Sequence, residues 1–352
     1  HDYPPPTVER LDAYRPEIAS ERLRPLSEKA ADIELWNGAL AAHRGRTWLE
    51  MPWYLAEAFF YRRLLEAVGY FQAGPWQGRD PFARPKGAQT ALAVERLAAD
   101  WEAVTAAETG LAFEALLHSS LWGNRADLSN ESIRLAVRGG LAAREERHNL
   151  LVDHTEQAHD LLAAGLERVD FVNDNVGLDL LFDLALADLL LHLGWVGQVV
   201  FHLKAWPFFV SDAMAQDVEA TLALLVASPG AAVRELGARL RGCLATGRLR
   251  LEADAFWTSP LMFDQFPPAL RADLARAGLV ILKGDVNYRR LLGDRHWPYT
   301  TRLEAVAAGF PAPLLVLRTL KGEILVGLAP GQAEALAAED PTWLINGQRG
   351  LI

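Results

Sequence analysis

In the second half of the chain, short apolar runs rich in β-branched residues alternate with longer helical stretches. The runs begin after about Arg168, and in order they are VDFVN, QVVFHLKA, RLRLEA, GLVILKGD and PLLVLRTL, with ILVGLA as a candidate for a last strand. Strands that alternate with helices predict a largely parallel sheet with helices on both faces. This pattern places the chain in the α/β class, in which ligands bind at the carboxyl ends of the strands.

The first third of the chain instead has the spacing of amphipathic helices. Apolar residues recur at intervals of three and four in RLRPLSEKAADIELWNGALAAH, WYLAEAFFYRRLLEAVGYF and QTALAVERLAADWEAVTAAE. We expect further helices from Leu111 to Leu121 and from Val152 to Gly165, and a long apolar helix from Leu178 to Leu193. The chain is therefore predicted to have two parts: a helical N-terminal portion, residues 1–165, and an α/β/α core, residues 166–352.

The charge and the apolar pattern argue against several classes of partner. The formal net charge of −10 at pH 7 disfavours nucleic acid and anionic membranes, because both need a basic surface. The most apolar region, Leu178 to Leu203, contains three Asp and two His residues. It is therefore predicted to be buried core rather than a membrane span.

The cysteine content and the N-terminal sequence predict the compartment. Cys243 is the only cysteine, so no intrachain disulfide can form and a reducing cytosol is the simplest location. The N-terminal HDYPPPTVERL has no basic segment followed by an apolar one, so a signal peptide is not expected. We therefore expect a cytoplasmic protein.

Polar side chains follow the predicted strands at the points where they end. Asn173-Asp174-Asn175 comes after the first strand, Ser211-Asp212 follows the second, and Lys283 to Arg290 and Arg318 to Lys321 follow two later ones. Carboxylate and carboxamide oxygens suit a hard cation such as Mg²⁺ or Mn²⁺, and Lys and Arg suit a phosphate. Helix capping would explain one such Asn or Asp, but three oxygen donors across two strand ends favour a phosphate-handling metal site.

Seven motifs, in order along the chain, resemble those of the damage-control phosphatase family, formerly domain of unknown function 89. They are PWYLAEAFFYRRL, DPFARPK, LWGNRADLS, DNVGLDLLFDLALADLLL, FHLKAWPFFVSD, LKGDVNYRRLLGDRHWP and LRTLK. Within the family, the chain is most similar to the acidic-residue methyltransferase-like subgroup. The resemblance implies a Rossmann-like α/β/α core joined to a helical N-terminal portion. It also implies metal-dependent hydrolysis of phosphate esters of small metabolites.

The resemblance also implies roles for individual residues. Asp174, Asn175 and Asp212 are expected to bind one divalent metal ion, Mn²⁺, Co²⁺, Ni²⁺ or Mg²⁺. Substrate or phosphate contacts are expected from a second set, with Asp285 supporting the site: Asn124, Lys283, Asn287, Arg289 and Lys321. Glu57 belongs to a matching motif on an N-terminal helix and is expected to line the substrate pocket. In the resulting hypothesis, Asp174, Asp212, Lys283 and Lys321 are the catalytic residues.

The chain departs from the family pattern at one motif. The family commonly has Asp-Asn-Ser-Gly-x-Glu, whereas this chain has Val176 and Asp179 at the Ser and Glu positions. The lost hydroxyl and the shorter carboxylate are expected to affect the substrate side of the site more than metal binding.

The sequence leaves several functions open. Sugar phosphates, such as fructose 1-phosphate or fructose 6-phosphate, are the leading substrate class. One alternative is S-adenosylmethionine-dependent methylation of protein carboxylates, which the absence of a glycine-rich loop after the first core strand disfavours. Another is a phosphometabolite sensor without turnover. A water or an aspartate nucleophile, and the oligomeric state, also stay open.

Overall fold

The computed structural model describes residues 3–20, 22–123 and 147–352. In these ranges the α-helices are α1 (Pro5–Asp12), α2 (Tyr14–Ser20), α3 (Ile33–Ala41), α4 (Trp53–Val68), α5 (Ala83–Ala106), α6 (Thr109–Trp122), α7 (Thr155–Ala163), α8 (Leu178–His192), α9 (Ala215–Ala227), α10 (Ala231–Ala245), α11 (Pro268–Leu274), α12 (Gly284–Leu291), α13 (Leu303–Val306) and α14 (Gln332–Glu339). The strands are β1 (Leu150–Val152), β2 (Leu166–Val172), β3 (Val196–Lys204), β4 (Leu249–Asp254), β5 (Leu279–Lys283), β6 (Leu314–Thr319) and β7 (Gly350–Leu351).

The seven strands form one sheet in the order β1-β7-β6-β5-β2-β3-β4. Strands β2 to β6 pair in parallel, and β7 runs antiparallel to β6. From β2 the chain continues to β3 and β4 on one side and later returns to β5 and β6 on the other. The strand order therefore reverses between β2 and β5, and in α/β sheets such a switch point opens a crevice at the carboxyl ends of the strands.

Alternating residues of the strands feed two separate cores, one on each face of the sheet. Phe171 of β2 and Phe201 of β3 belong to the core that contains buried residues of α5, α6, α8, α9 and α10. Val172 and Val280 belong to the opposite core, with residues of α11 and α12. This is the three-layer arrangement predicted from the alternation of strands and helices, and the α/β class is confirmed.

Helix α8 is buried almost all round. Of its 15 residues 13 are buried, including Asp179, Asp183 and Asp188. A helix that is apolar on every side belongs in a core, and the contacts of α8 with α5, α6, α10 and β3 account for it. No helix in the described part of the chain is long and apolar enough to cross a membrane.

A third core joins the N-terminal helices to the carboxyl edge of the sheet. It contains Trp36 of α3, Tyr54 and Phe59 of α4, and Phe208 from the loop after β3. Because Phe208 packs against residues of α4, this helix lies directly beside the chain segment that leads to Asp212.

The structure corrects two element predictions. The segment from Arg22 to His43 was expected to be one helix, but the helix is confined to α3. The backbone of Leu26, which precedes α3, is bound by a side chain of that helix: Asn37 accepts a hydrogen bond from the Leu26 N–H (2.8 Å) and donates one to the Leu26 carbonyl (3.0 Å). Because a side chain satisfies this backbone, and Pro25 lacks an N–H, the segment has no need of helical hydrogen bonds.

ILVGLA, residues 324–329, is buried at Ile324 to Val326 and at Leu328 but is not a strand. Its backbone is satisfied elsewhere: Gly327 N–H donates to Thr301 O (2.9 Å), Leu328 N–H to Tyr299 O (2.9 Å), and Val326 N–H to the Tyr288 hydroxyl (3.1 Å). The sheet is instead extended by β1 and β7, which are too short for a sequence pattern to indicate.

Candidate active site

Two loops at the carboxyl edge of the sheet are locked side by side. Asn175, after β2, and Asp212, after β3, form an isolated antiparallel bridge. Val176 N–H donates to Ser211 O (2.7 Å), and Ala213 N–H donates to Asp174 O (2.8 Å). These backbone bonds bring together Asp174, Asn175 and Asp212, the three residues expected to bind a metal.

The side chains of this group hold one another. Asn175 Nδ2 donates to Asp174 Oδ2 (2.6 Å) and to Asp179 Oδ2 (3.3 Å), and Ser211 Oγ donates to Asn175 Oδ1 (2.6 Å). Lys204 Nζ lies 3.2 Å from Asp212 Oδ2. This ion pair is the contact that the described residues provide to Asp212 Oδ2, which is buried.

The two carboxylates of this group are short of positive charge. Burial, and then the neighbouring charges of Asp212 and Asp179, raise the pKa of Asp174 well above its usual range. Burial also raises the pKa of Asp212, which Lys204 only partly offsets. Two buried carboxylates that share one lysine, beside a carboxamide, are a donor set that suits a hard divalent cation. The residues present therefore fit the metal that the family resemblance implies.

Gly284, the first residue of α12, lets Asp174 approach the β5–α12 turn. Its φ is +83°, a conformation that favours glycine. A Cβ at this position would lie 2.0 Å from Asp174 Oδ2 and 2.2 Å from Asp174 Cγ. The Asp174 carboxylate thus occupies the space that any other residue at 284 would fill.

Lys283 lies beneath the site with its ammonium group fully engaged. Its Nζ donates to the carbonyl and hydroxyl oxygens of Ser120 and to Asp179 Oδ1 (2.7 Å), and it lies 2.8 Å from Asp183 Oδ1. Burial alone would lower the pKa of Lys283, but the two carboxylates more than offset it and the pKa is raised. The structure thus places Lys283 as a tie between β5 and α8; it also lines the cavity described below, and its expected contact with phosphate stays a prediction.

Asn287 and Arg289 are also engaged within the protein. Asn287 is fully buried and donates to Lys283 O (2.9 Å) and Asn173 O (3.3 Å). The Arg289 guanidinium bonds to three carboxylates, those of Asp285 (3.2 Å), Asp294 (3.0 Å) and Glu323 (3.2 Å). Neither side chain lines the cavity described next, so the structure does not bring them to the substrate side of the site.

A cavity of about 320 Å³ opens over Asp174 and Asp212. Four of the other expected site residues line it, namely Asn175, Lys283, Asp285 and Lys321, and so does Glu57 of α4. Lys321 is exposed, and its charge lowers the pKa of Asp174. Asn124 lies outside the described residues.

Sequence reasoning missed four apolar side chains on the wall of this cavity. They are Trp53, Phe209, Val210 and Val286, and they line it together with Tyr61, which belongs to the same motif as Glu57. A signal was present for Trp53, because it lies four residues before Glu57 and therefore on the same face of a helix.

A second acidic group lies between the sheet and α11. Ligand atoms of Asp170, His202 and Asp273 fall within 4.8 Å of one another, so by distance this group could hold a metal ion. Arg168, however, donates to both carboxylates, at 2.7 Å to Asp170 Oδ2 and 2.7 Å to Asp273 Oδ2. Arg168 therefore serves both carboxylates of this group, whereas at the sheet edge Lys204 pairs with Asp212 and, within the described residues, Asp174 has no ion pair.

Comparison with known proteins then identifies the family. The family model described as "Damage-control phosphatase ARMT1-like domain" matches residues 7–336. The chain belongs to this family. Its relatives include proteins named damage-control phosphatase ARMT1 from Rattus norvegicus, 33% identical over 98% of this chain and 85% of the relative, and from Homo sapiens, 32% identical over the same shares.

A solved structure supports the fold of this ARMT1-like chain. A DUF89 family protein from Pyrococcus horikoshii superposes with a TM-score of 0.50 at 14% identity, over 91% of this chain and 87% of that one. The expected family and the expectation of a phosphatase-family enzyme are confirmed by the family model and the named relatives, and the solved structure bears out the fold class alone.

Proposed function

We propose that this ARMT1-like chain is a metal-dependent phosphatase of small phosphorylated metabolites, and that sugar phosphates such as fructose 1-phosphate and fructose 6-phosphate are its substrates. The observation that carries the proposal is the pair of buried carboxylates, Asp174 and Asp212, at the carboxyl edge of the sheet, where Asp174 has no ion pair with the described residues. The relatives named damage-control phosphatases support the same reaction class.

Asp174, Asn175 and Asp212 would hold the divalent ion, for which we propose Mn²⁺, Co²⁺, Ni²⁺ or Mg²⁺. When bound, the ion supplies positive charge that stabilises a phosphoryl group as its charge develops in the transition state. The Ser211 and Asp179 contacts hold the Asn175 carboxamide in a fixed orientation.

Two features of the chain itself favour a phosphate on the other side of the cavity. Lys321 lies exposed on its wall and makes no hydrogen bond or ion pair with the described residues. Gly284, Asp285 and Val286 also line the cavity, so the first turn of α12 faces it, and the free N–H groups of a helix N-terminus attract anions. Asp285 on the same turn is negatively charged and would repel a phosphate, but its carboxylate is paired with Arg318, whose Nε donates to Asp285 Oδ1 at 2.8 Å.

The proposal is tested by phosphate release. The protein, treated with a chelator, is assayed on a panel of sugar phosphates with and without each of the four metals. We expect release that depends on metal, and a loss of at least about 100-fold in kcat/KM for D174N and D212N, because each removes a charged ligand without changing its size.

The single cysteine supports a cytoplasmic location for this reaction.

Two results would contradict the proposal. Phosphate release that is unchanged by chelation, or by D174N, would remove the metal from the mechanism. Methyl transfer from S-adenosylmethionine to protein carboxylates, with no phosphate released from any substrate, would replace the phosphatase with the alternative activity.

A further inference from the structure

Three residues of α4 form a stripe that faces the cavity. Trp53, Glu57 and Tyr61 are spaced by four, so they lie on one face of the helix, and all three line the cavity that also contains Asp174 and Asp212. The buried residues of α4, among them Tyr54 and Phe59, pack into the N-terminal core. The helix is thus fixed by one face and presents the other to the site.

Among the charged residues of α4, Glu57 alone forms no ion pair with the described part of the chain. Its neighbours are paired: Arg62 with Asp32 at 2.6 Å, and Arg63 with Glu66 at 2.7 Å. The Glu57 carboxylate is half-buried, which raises its pKa, yet it makes no hydrogen bond or ion pair with the rest of the described chain. Polar groups withdrawn from water normally have partners, so a carboxylate left open to a cavity indicates a donor supplied by a ligand.

The two aromatic residues of the stripe are held in place by the protein. The Arg289 guanidinium lies 4.2 Å from the centre of the Trp53 ring, and Arg289 is itself anchored by Asp294. Trp53 nevertheless remains 44% exposed. This gives Arg289 a structural task, namely to support the indole that lines the cavity.

Tyr61 is supported by a strained residue. Its ring centre lies 5.0 Å from that of Phe209, whose φ is +49°. A left-handed conformation costs a bulky residue about 1–2 kcal/mol, and such strain persists mainly at functional sites, where the surroundings enforce it. The loop between β3 and Asp212 is therefore held in a costly conformation that places an aromatic ring on the cavity wall.

We propose that Trp53, Glu57 and Tyr61 recognise the non-phosphate part of the substrate and select a polyhydroxylated one. This inference rests on the proposed function. Hydroxyl groups donate to the Glu57 carboxylate, and the C–H faces between them pack against the aromatic rings. The negative charge of Glu57 repels phosphate from this end, so the phosphate is directed toward Lys321 and the N-terminus of α12.

The test compares two phosphate monoesters that differ in their organic part. Fructose 6-phosphate carries hydroxyl groups and phenyl phosphate does not, so the ratio of their kcat/KM values measures selection for hydroxyl groups. A site built to bind hydroxyl groups strongly rejects analogues that lack them. We expect E57A to lower this ratio at least tenfold.

Glu219 provides the matched control. It is an exposed carboxylate on α9, away from the cavity, and E219Q should leave the ratio unchanged. If E57A does not fold, E57Q, which keeps the size of the side chain, gives the same comparison. An equal fall in kcat/KM for both esters, or no fall for either, would overturn the inference.

A separate arm distinguishes this inference from the proposed function. If the wild-type protein hydrolyses neither ester, the proposed function fails, and binding of fructose 6-phosphate is then followed by saturation-transfer NMR. Sugar-proton signals that appear with the wild-type protein and are lost with E57A and W53A would uphold the recognition stripe. Signals that are absent, or identical in all three proteins, would overturn it.

Discussion

The Asp174 side chain lies against the backbone of Gly284, with no room for a side chain at position 284. The carboxylate sits where a Cβ would be, and the backbone of Gly284 adopts a left-handed conformation. Both facts require glycine at position 284, because a side chain there would overlap the Asp174 carboxylate and because other residues rarely adopt this φ. The position of Asp174 therefore depends on a residue in a different strand–helix turn, more than 100 positions along the chain.

G284A tests this dependence. The added methyl group overlaps the Asp174 carboxylate, so we expect the metal affinity measured by calorimetry to fall at least tenfold, and the free energy of unfolding to fall by about 1–3 kcal/mol. Gly331 is the matched control, because its φ is +82° and a Cβ there meets nothing within 4 Å. G331A should cost stability without weakening metal binding. Equal metal affinities for the two variants would contradict the argument.

Single residues also show where prediction from sequence stops. Asp174, Asn175 and Asp212 could be brought together on paper because the carboxyl ends of adjacent parallel strands meet at one edge; their role as metal ligands stays a prediction. Lys283 follows a neighbouring strand and looked like a phosphate contact. Its engagement depends on Ser120, which lies 163 residues away, and on Asp183 of α8, and no local sequence pattern indicates such distant contacts.

At the scale of elements, a buried ion cluster joins β5 to α8 and α6. Lys283 ends β5, Asp179 and Asp183 lie one turn apart on α8, and Ser120 lies on α6. Ser120 Oγ donates to Asp183 Oδ1 (2.6 Å) and Asn173 Nδ2 to Asp183 Oδ2 (2.9 Å). Every member is bonded, so the cluster fixes the helix that begins at the site relative to the strand that passes beneath it.

K283M tests this role through stability. The substitution leaves two buried carboxylates without their cation, and we expect a loss of about 3–5 kcal/mol in the free energy of unfolding, measured by urea denaturation. Adding D183N should recover part of that loss, because it removes one of the uncompensated charges. A K283M protein as stable as the wild type would show that Lys283 does not hold the elements together.

The elements divide into those with a strong local pattern and those without one. Strands β2 to β6 were predictable because each is a compact apolar run between turns, and α8 because it is long and apolar. Strands β1 and β7 have three and two residues and owe their conformation to pairing with each other. Strand β1 belongs to the sheet although it precedes residue 166. The division of the chain between residues 165 and 166 stays a prediction.

At the scale of the whole molecule, two groups compete as the place where a metal would bind. At the sheet edge Lys204 pairs with Asp212 alone of the two buried carboxylates, whereas Arg168 bonds to both carboxylates of the group formed by Asp170, His202 and Asp273. Burying charge without compensation destabilises a fold. The sheet-edge group is therefore the one whose neutralisation by a metal should stabilise the entire chain.

Thermal unfolding of the chelated protein, with and without added Mn²⁺, decides between the two groups. A ligand at 100 times its Kd stabilises a protein by about 2.7 kcal/mol, and for a chain of this size we expect Tm to rise by about 5 °C. The rise should vanish in D174N and D212N and persist in H202A, which alters only the group between the sheet and α11. The reverse result, a rise that survives D212N and is lost in H202A, would move the metal to the Arg168 side of the molecule. Because H202A leaves Asp174, Asn175 and Asp212 in place, that outcome could not be attributed to loss of the sheet-edge ligands.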